Sequence, residues 1–107
     1  ETWPLTGQTF DAVIVTNYLW RPRFDDLLAC VAPDGVLLYE TFAAGNEAFG
    51  KPSRADFLLQ PNELIARVHN RLQIVAFEQG KVESDKPAVI QRIAAVGAAR
   101  AWPIALV

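Results

Sequence analysis

The chain has 107 residues, 51% of them hydrophobic, which suits one soluble domain with a modest core and excludes two independently folding units. Its 10 basic and 12 acidic residues include no Lys/Arg cluster of the kind that neutralises phosphates, so nucleic acid is not an expected partner. The longest apolar runs, such as Val13-Ile14-Val15, fall far short of the roughly 20 residues that cross a bilayer, so no membrane helix is expected.

Cys30 stands alone, which excludes an internal disulfide and any C-x-x-C site and points to a reducing, cytoplasmic home. The chain contains no Met and opens in a Trp-Pro-Leu segment, so a fragment or a processed product is expected.

In chain order, Phe10 to Thr16 (FDAVIVT) is a β-branched run without alternation, the pattern of a strand covered on both faces in a parallel sheet. An aromatic turn, TNYLWRP, follows it. Phe24, Leu27, Leu28 and Val31 then recur at i, i+3, i+4 and i+7, with Asp25 and Asp26 where they favour a helix dipole, predicting a helix of about three turns. Ala32-Pro33-Asp34-Gly35 stops it, and Val36 to Phe42 reads as a second buried strand. Together these make a βαβ unit with parallel strands.

Residues 43 to 60 form a long irregular connection that carries Phe49, Phe57, Leu58 and Leu59, and loops of that length tend to be functional. Pro61, Glu63, Leu64, Ile65 and Val68 predict a second helix, closed by Asn70. Leu72 to Gly80 reads as a third strand. Ala88 to Ala99 fits either a strand or a helix by periodicity, and the polar turn before it favours an antiparallel hairpin.

Ligands of open α/β sheets bind beyond the carboxyl ends of the strands, which places Thr16-Asn17-Tyr18 and Tyr39-Glu40-Thr41-Phe42 at one expected crevice. There Asn17 offers hydrogen bonds, Tyr18 can close over a flat or apolar group, and Arg21 can meet an anion. The plainer reading makes Asn17 a turn residue and gives Tyr18 and Trp20 to packing. Glu40 ends an apolar strand, so it is either a solvated strand-end carboxylate or a group that positions a cation or acts as a general base. His69 lacks a sequence-near Asp or Ser partner and reads as a structural or surface residue, Cys30 reads as a small buried residue, and no phosphate loop or metal cluster is visible.

The order of these motifs in FDAVIVTNYLWRPRFDDLLACVAPDGVLLYETF resembles the second half of a class I S-adenosylmethionine-dependent methyltransferase. The continuation ETFAAGNEAFGKPSRADFLLQPNEL resembles a bacterial tellurite-resistance-like subgroup, and the likeness runs from Trp3 to about Arg92. The resemblance implies an α/β fold: a partial Rossmann-like sheet with strands in the order 4-5-7-6, helices on its faces and the last strand antiparallel. That makes residues 88 to 99 a strand. Residues 1 to 107 are then the carboxyl-terminal half of a methyltransferase domain, with the amino-terminal half absent.

The resemblance also implies site residues. Thr16, Asn17, Tyr18 and Leu19 would line the methionine part of S-adenosylmethionine, while Glu40, Thr41, Phe42, Asn46 and Phe49 would shape the pocket of a small-molecule acceptor, to which Arg21 is added on its own chemistry. Glu40 is the candidate catalytic base. The glycine-rich loop and the acidic residues that hold ribose and adenine would precede Glu1, so the parent protein binds the cofactor and the isolated chain is expected to bind none and to be inactive. A half-Rossmann module without catalysis is the competing expectation. On either reading Phe10 to Thr16 becomes an open edge, expected to pair in a homodimer or to be covered by the Trp3-Pro4-Leu5 arm or the Trp102 to Val107 tail.

Overall fold

The computed structural model of the chain describes residues 2–106. Four strands, β1 (Phe10–Thr16), β2 (Val31–Phe42), β3 (Leu72–Val82) and β4 (Ala88–Gly97), form one sheet in the order β1-β2-β4-β3. β1 and β2 are parallel, and β4 runs antiparallel to both β2 and β3. The ambiguous last element is therefore a strand. β3 and β4 form the expected hairpin, with β3 two residues longer than the sequence suggests.

β2 begins five residues earlier than its apolar run, at Val31. Phe10 pairs with Val31 and the register then jumps to Ala12 against Val36. The Pro-Asp-Gly turn therefore exists as a bulge inside the strand, with Pro33 and Asp34 exposed. Gly35 eases the close approach there, because a Cβ would sit 3.0 Å from the backbone carbonyl oxygens of Phe10 and Asp11, tighter than ordinary van der Waals contact. The chain beyond β4 clasps the same bulge: the Ala99 N–H donates to the Pro33 carbonyl at 2.9 Å and Arg100 Nη2 to that of Asp34 at 2.7 Å.

Recruiting Val31 into β2 shortens the first helix. A 3-10 turn at Arg21–Arg23 leads into α1 (Phe24–Leu28), which is one and a half turns rather than three. The Phe10 N–H bonds to the Cys30 carbonyl at 2.7 Å, so the strand ladder takes the residues that periodicity assigns to the helix. The second helix, α2 (Glu63–Val68), follows a turn at Pro61 and Asn62.

Side chains alternate across the sheet. Leu37, Tyr39, Thr41, Gln91, Ile93 and Ala95 share one buried face. α1 and α2 both lie on it: Phe24 stacks on Tyr39 with ring centroids 5.4 Å apart, and the buried Gln91 accepts the Leu64 N–H at 3.1 Å while donating to the Gln60 carbonyl at 2.6 Å. Gln91 thus satisfies an amide at the start of α2 that the helix itself leaves open. Leu64, Val68, Leu59 and Leu19 complete this core.

The opposite face has no helix over it among the described residues. Ile14 is 68% exposed and Leu38 44% exposed, so β1 is not covered on both faces as its composition suggests. Among the described residues neither the Trp3 arm nor the tail covers β1, and Trp102 is itself exposed.

Candidate functional site

β1 ends at Thr16, and Asn17 turns the chain through a left-handed conformation (φ 56°) that Asn tolerates better than most residues. Its N–H still bonds to the Glu40 carbonyl at 3.0 Å, so the turn leaves the sheet from a fixed point. Next, the Tyr18 carbonyl accepts the hydroxyl of Tyr39. Burial pushes the Tyr39 phenol pKa well above its ordinary value, which keeps it a neutral donor. Leu19 is buried as the anchor of the turn, and Tyr18 and Trp20 remain 46% and 47% exposed on either side of it.

The connection after β2 folds back over this turn. Leu59 returns to the end of β2, its N–H bonding to the Phe42 carbonyl at 3.0 Å and its carbonyl accepting from Ala44 at 2.8 Å. Asn46 braces the inside of the loop, with Nδ2 donating to the Pro52 carbonyl at 3.0 Å and Oδ1 accepting the Val89 N–H at 3.1 Å. Arg21 holds the far side. Its guanidinium grips Glu63 with two bonds of 2.8 and 2.9 Å and donates to the carbonyls of Asp56 at 3.1 Å and Leu58 at 2.7 Å. Glu63 also accepts Arg67 Nε at 2.7 Å and the Gln60 N–H at 2.8 Å. Burial pushes the Glu63 carboxyl pKa up, but the bonds from Arg21, the Gln60 amide and Arg67 outweigh it and hold it at about 2.

These constraints shape a cavity of about 370 Å³ between the ends of β1 and β2 and the folded-back loop. Asn17, Tyr18, Trp20, Thr41, Phe42 and Phe57 line it, with Leu19 and Pro52. No Asp, Glu, Lys, Arg or His is among them. Thr41 is only 2% exposed and has no side-chain hydrogen bond among the described residues. It is nonetheless one of the residues that line the cavity.

The structure thus brings together Asn17, Tyr18, Leu19, Thr41 and Phe42 of the residues expected at the crevice, and separates the others. Thr16 and Glu40 lie on the opposite face, because strand alternation turns Glu40 away from Tyr39 and Thr41. There they line a second concavity of about 500 Å³ with Ile14 and Leu38, and Glu40 sits 3.6 Å from Arg92, which also pairs with Glu78. The single crevice expected to hold Glu40 and Thr41 is therefore two surfaces, and the carboxylate expected to act as a base is outside the cavity. Arg21 is engaged by the internal Glu63 carboxylate instead of facing a ligand anion. Asn46 is a buried brace, and Phe49 stands outside the cavity with Lys81 Nζ 5.2 Å from its ring centroid.

Phe57, which the sequence offers either as a pocket wall or as loop packing, lines the site, and Trp20 and Pro52 join it without having been assigned to it. The exposed indole beside a strand end was the available signal for Trp20. For Pro52 none existed, since its position follows from the Asn46 brace. His69 is exposed at the end of α2, Cys30 is buried, and among the described residues no group of His, Cys, Asp and Glu could hold a metal ion. No helix among those residues is long and apolar enough to cross a membrane.

No protein-family model matches this chain, and no curated protein matches it. Among solved structures, it is similar to the N-methyltransferase NodS from Bradyrhizobium japonicum WM9, with TM-score 0.60 and 17% identity over 86% of this chain and 53% of that one. It is likewise similar to NodS in complex with S-adenosyl-L-homocysteine, with TM-score 0.53 and 19% identity over 84% of this chain and 48% of that one. The chain spans about half the length of the methyltransferase structures it matches. The strand order, the parallel β1–β2 pair and the antiparallel β4 are accordingly those of a partial Rossmann-like methyltransferase fold.

Proposed function

We propose that the chain is the carboxyl-terminal half of a class I S-adenosylmethionine-dependent methyltransferase and forms the surface where methyl donor and acceptor meet. The observation that carries this reading is the cavity at the carboxyl ends of β1 and β2, within a fold shared with an N-methyltransferase whose structure holds S-adenosyl-L-homocysteine. S-adenosylmethionine, when bound, supplies a methyl group made electrophilic by a sulfonium. The cavity fits that end of the cofactor: Tyr18 and Trp20 bring aromatic rings to its lining, the kind of group that attracts a sulfonium, and no charged lining group competes for it. It does not fit the nucleoside end, since no carboxylate lines it to hold a ribose.

The roles of this chain's residues follow from positioning. Asn17 and the turn behind it fix the donor side, Thr41 and Phe42 fix the acceptor side, and the loop held by Arg21 and Asn46 excludes water. No base is assigned, because Glu40 lies on the other face of the sheet. The tellurite-resistance-like subgroup rests on residues 40 to 64 alone, and the name assigns no acceptor. On this account the isolated chain is inactive and the parent protein is cytoplasmic.

The test is transfer of labelled methyl from S-adenosylmethionine to a panel of small phenols, heterocycles and amines by the product of the whole reading frame containing this chain. Trp20→Ala is expected to reduce the rate at least about ten-fold, the scale of one lost ring contact with its orienting effect. A whole-frame product that neither binds the cofactor nor transfers its methyl sinks the reading.

A second reading has its own observation. The bare sheet face and the open β1 edge, with Ile14 and Leu38 exposed, favour a non-catalytic module that pairs with a second copy through residues 10 to 16.

A further inference from the structure

Resting on the reading of this cavity as the meeting place of donor and acceptor, we infer that Tyr39 is a positioning residue for the transfer. Its hydroxyl stands behind the cavity and sets the orientation of the turn that carries Tyr18 and Trp20 into the lining. Three observations point there together.

The first is where the hydroxyl is held. Tyr39 is 2% exposed on the interior strand β2, its backbone paired with Val15 on one side and Ile93 on the other. Its ring stacks on Phe24, so backbone and ring are both fixed. It is not among the residues that line the cavity. A phenylalanine would fill the same core space, and a buried hydroxyl costs stability unless it is partnered. The partner it has is the Tyr18 carbonyl.

The second is how little else holds that turn. Backbone bonding to β2 ends with the Asn17 N–H on the Glu40 carbonyl, and the next backbone bond begins at the Trp20 carbonyl, which accepts the Arg23 N–H at 3.0 Å. Between them, among the described residues, the Tyr39 hydroxyl makes the one hydrogen bond to the turn, and the buried Leu19 side chain is its other anchor. The Tyr18 carbonyl belongs to the rigid peptide unit between Tyr18 and Leu19. Turning that unit re-aims Tyr18 before it and Trp20 beyond it, and both line the cavity.

The third is that the facing wall is mounted on the same support. Phe24, stacked on Tyr39, has the guanidinium of Arg67 5.2 Å from its ring centroid, and Arg67 Nε donates to Glu63 at 2.7 Å. Glu63 holds Arg21, which bonds to the carbonyls of Asp56 and Leu58 on either side of Phe57, a lining residue. One column of contacts therefore joins the Tyr18–Trp20 wall to the Phe57 wall. Transfer between two bound groups depends on their separation and alignment, so a support that fixes the gap acts on the rate more than on binding.

The experiment compares Tyr39→Phe, which removes the hydroxyl alone, with Leu72→Ala, which loosens the core at the start of β3, two strands from β2. In the whole-frame product, below the unfolding midpoint of each variant, Tyr39→Phe is expected to lower kcat about ten-fold and to change the KM for S-adenosylmethionine less than about three-fold. Leu72→Ala is expected to lower the urea midpoint at least as far and to keep kcat. In the isotope-labelled chain, nuclear magnetic resonance should show the Trp20 indole and Leu19 amide signals shifted and broadened by Tyr39→Phe, with the indole signals of Trp3 and Trp102 unmoved. An unchanged kcat, a loss confined to KM, an equal fall of kcat in Leu72→Ala, or Trp20 and Leu19 signals like those of the unaltered chain would each overturn the inference. The two readings fail separately. No methyl transfer by the unaltered whole-frame product removes the methyltransferase, and the Trp20 and Leu19 signals still decide whether Tyr39 holds the turn; transfer at full rate by Tyr39→Phe keeps the methyltransferase and removes the role of Tyr39.

Discussion

At the residue scale, two buried polar groups do work that no local pattern in the sequence announces. Gln91 sits in the core because it serves the Leu64 amide and the Gln60 carbonyl at once. Gln91→Leu keeps the size and orphans both, so it is expected to cost about 1–3 kcal/mol per group left unsatisfied, read from the midpoint of urea unfolding. Glu63 has a folded pKa of about 2 against an ordinary 4.5, so its contribution to stability is complete above pH 4.5 and is lost as the pH falls towards 2. Glu63→Gln is expected to flatten the acid limb of a stability–pH profile; an unchanged limb contradicts the clamp. Sequence chemistry identified Arg21 as a residue seeking an anion, and it has one, 42 residues away in α2. Nothing local distinguishes an internal carboxylate at that distance from a ligand.

At the scale of elements, the strands were legible because apolar β-branched runs leave few alternatives, and the parallel β1–β2 pair followed from the segment between them. The boundaries were less so. Val31 has helical spacing with Phe24, Leu27 and Leu28, but ladder pairing with Phe10 takes it for β2. The two faces of β2 were legible in principle from period-two alternation, and grouping Glu40 with Thr41 ignored it. The fold of the connection over 43–60 was hidden, because it depends on Asn46 meeting Val89 and Pro52 across the chain. Asn46→Ala is expected to release that loop, and limited trypsin digestion should then cut after Arg54 several-fold faster than in the unaltered chain. Equal rates would mean that Arg21 alone holds the loop.

At the scale of the whole molecule, the sheet is finished on one side and unfinished on the other. The helix-covered face is closed by α1, α2 and the returning loop, while the opposite face presents Ile14 and Leu38 next to the row Glu40, Arg92 and Glu78. An open parallel edge beside exposed apolar side chains invites pairing. The isolated chain is therefore expected to self-associate, and Ile14→Lys, at a position already mostly exposed, should make it monomeric in sedimentation equilibrium without lowering its unfolding midpoint. On the proposed reading, the same surface is where the remainder of a methyltransferase domain would pack.

The claim that the chain is one half of such an enzyme is tested most directly by calorimetry with S-adenosyl-L-homocysteine, titrated in parallel into this chain and into the product of its whole reading frame. The account predicts no saturable heat from the chain alone, whose cavity offers nothing to hold a nucleoside, and one-site binding by the whole-frame product that Trp20→Ala weakens. Tight one-site binding by the chain alone, or none by the whole-frame product, would contradict it.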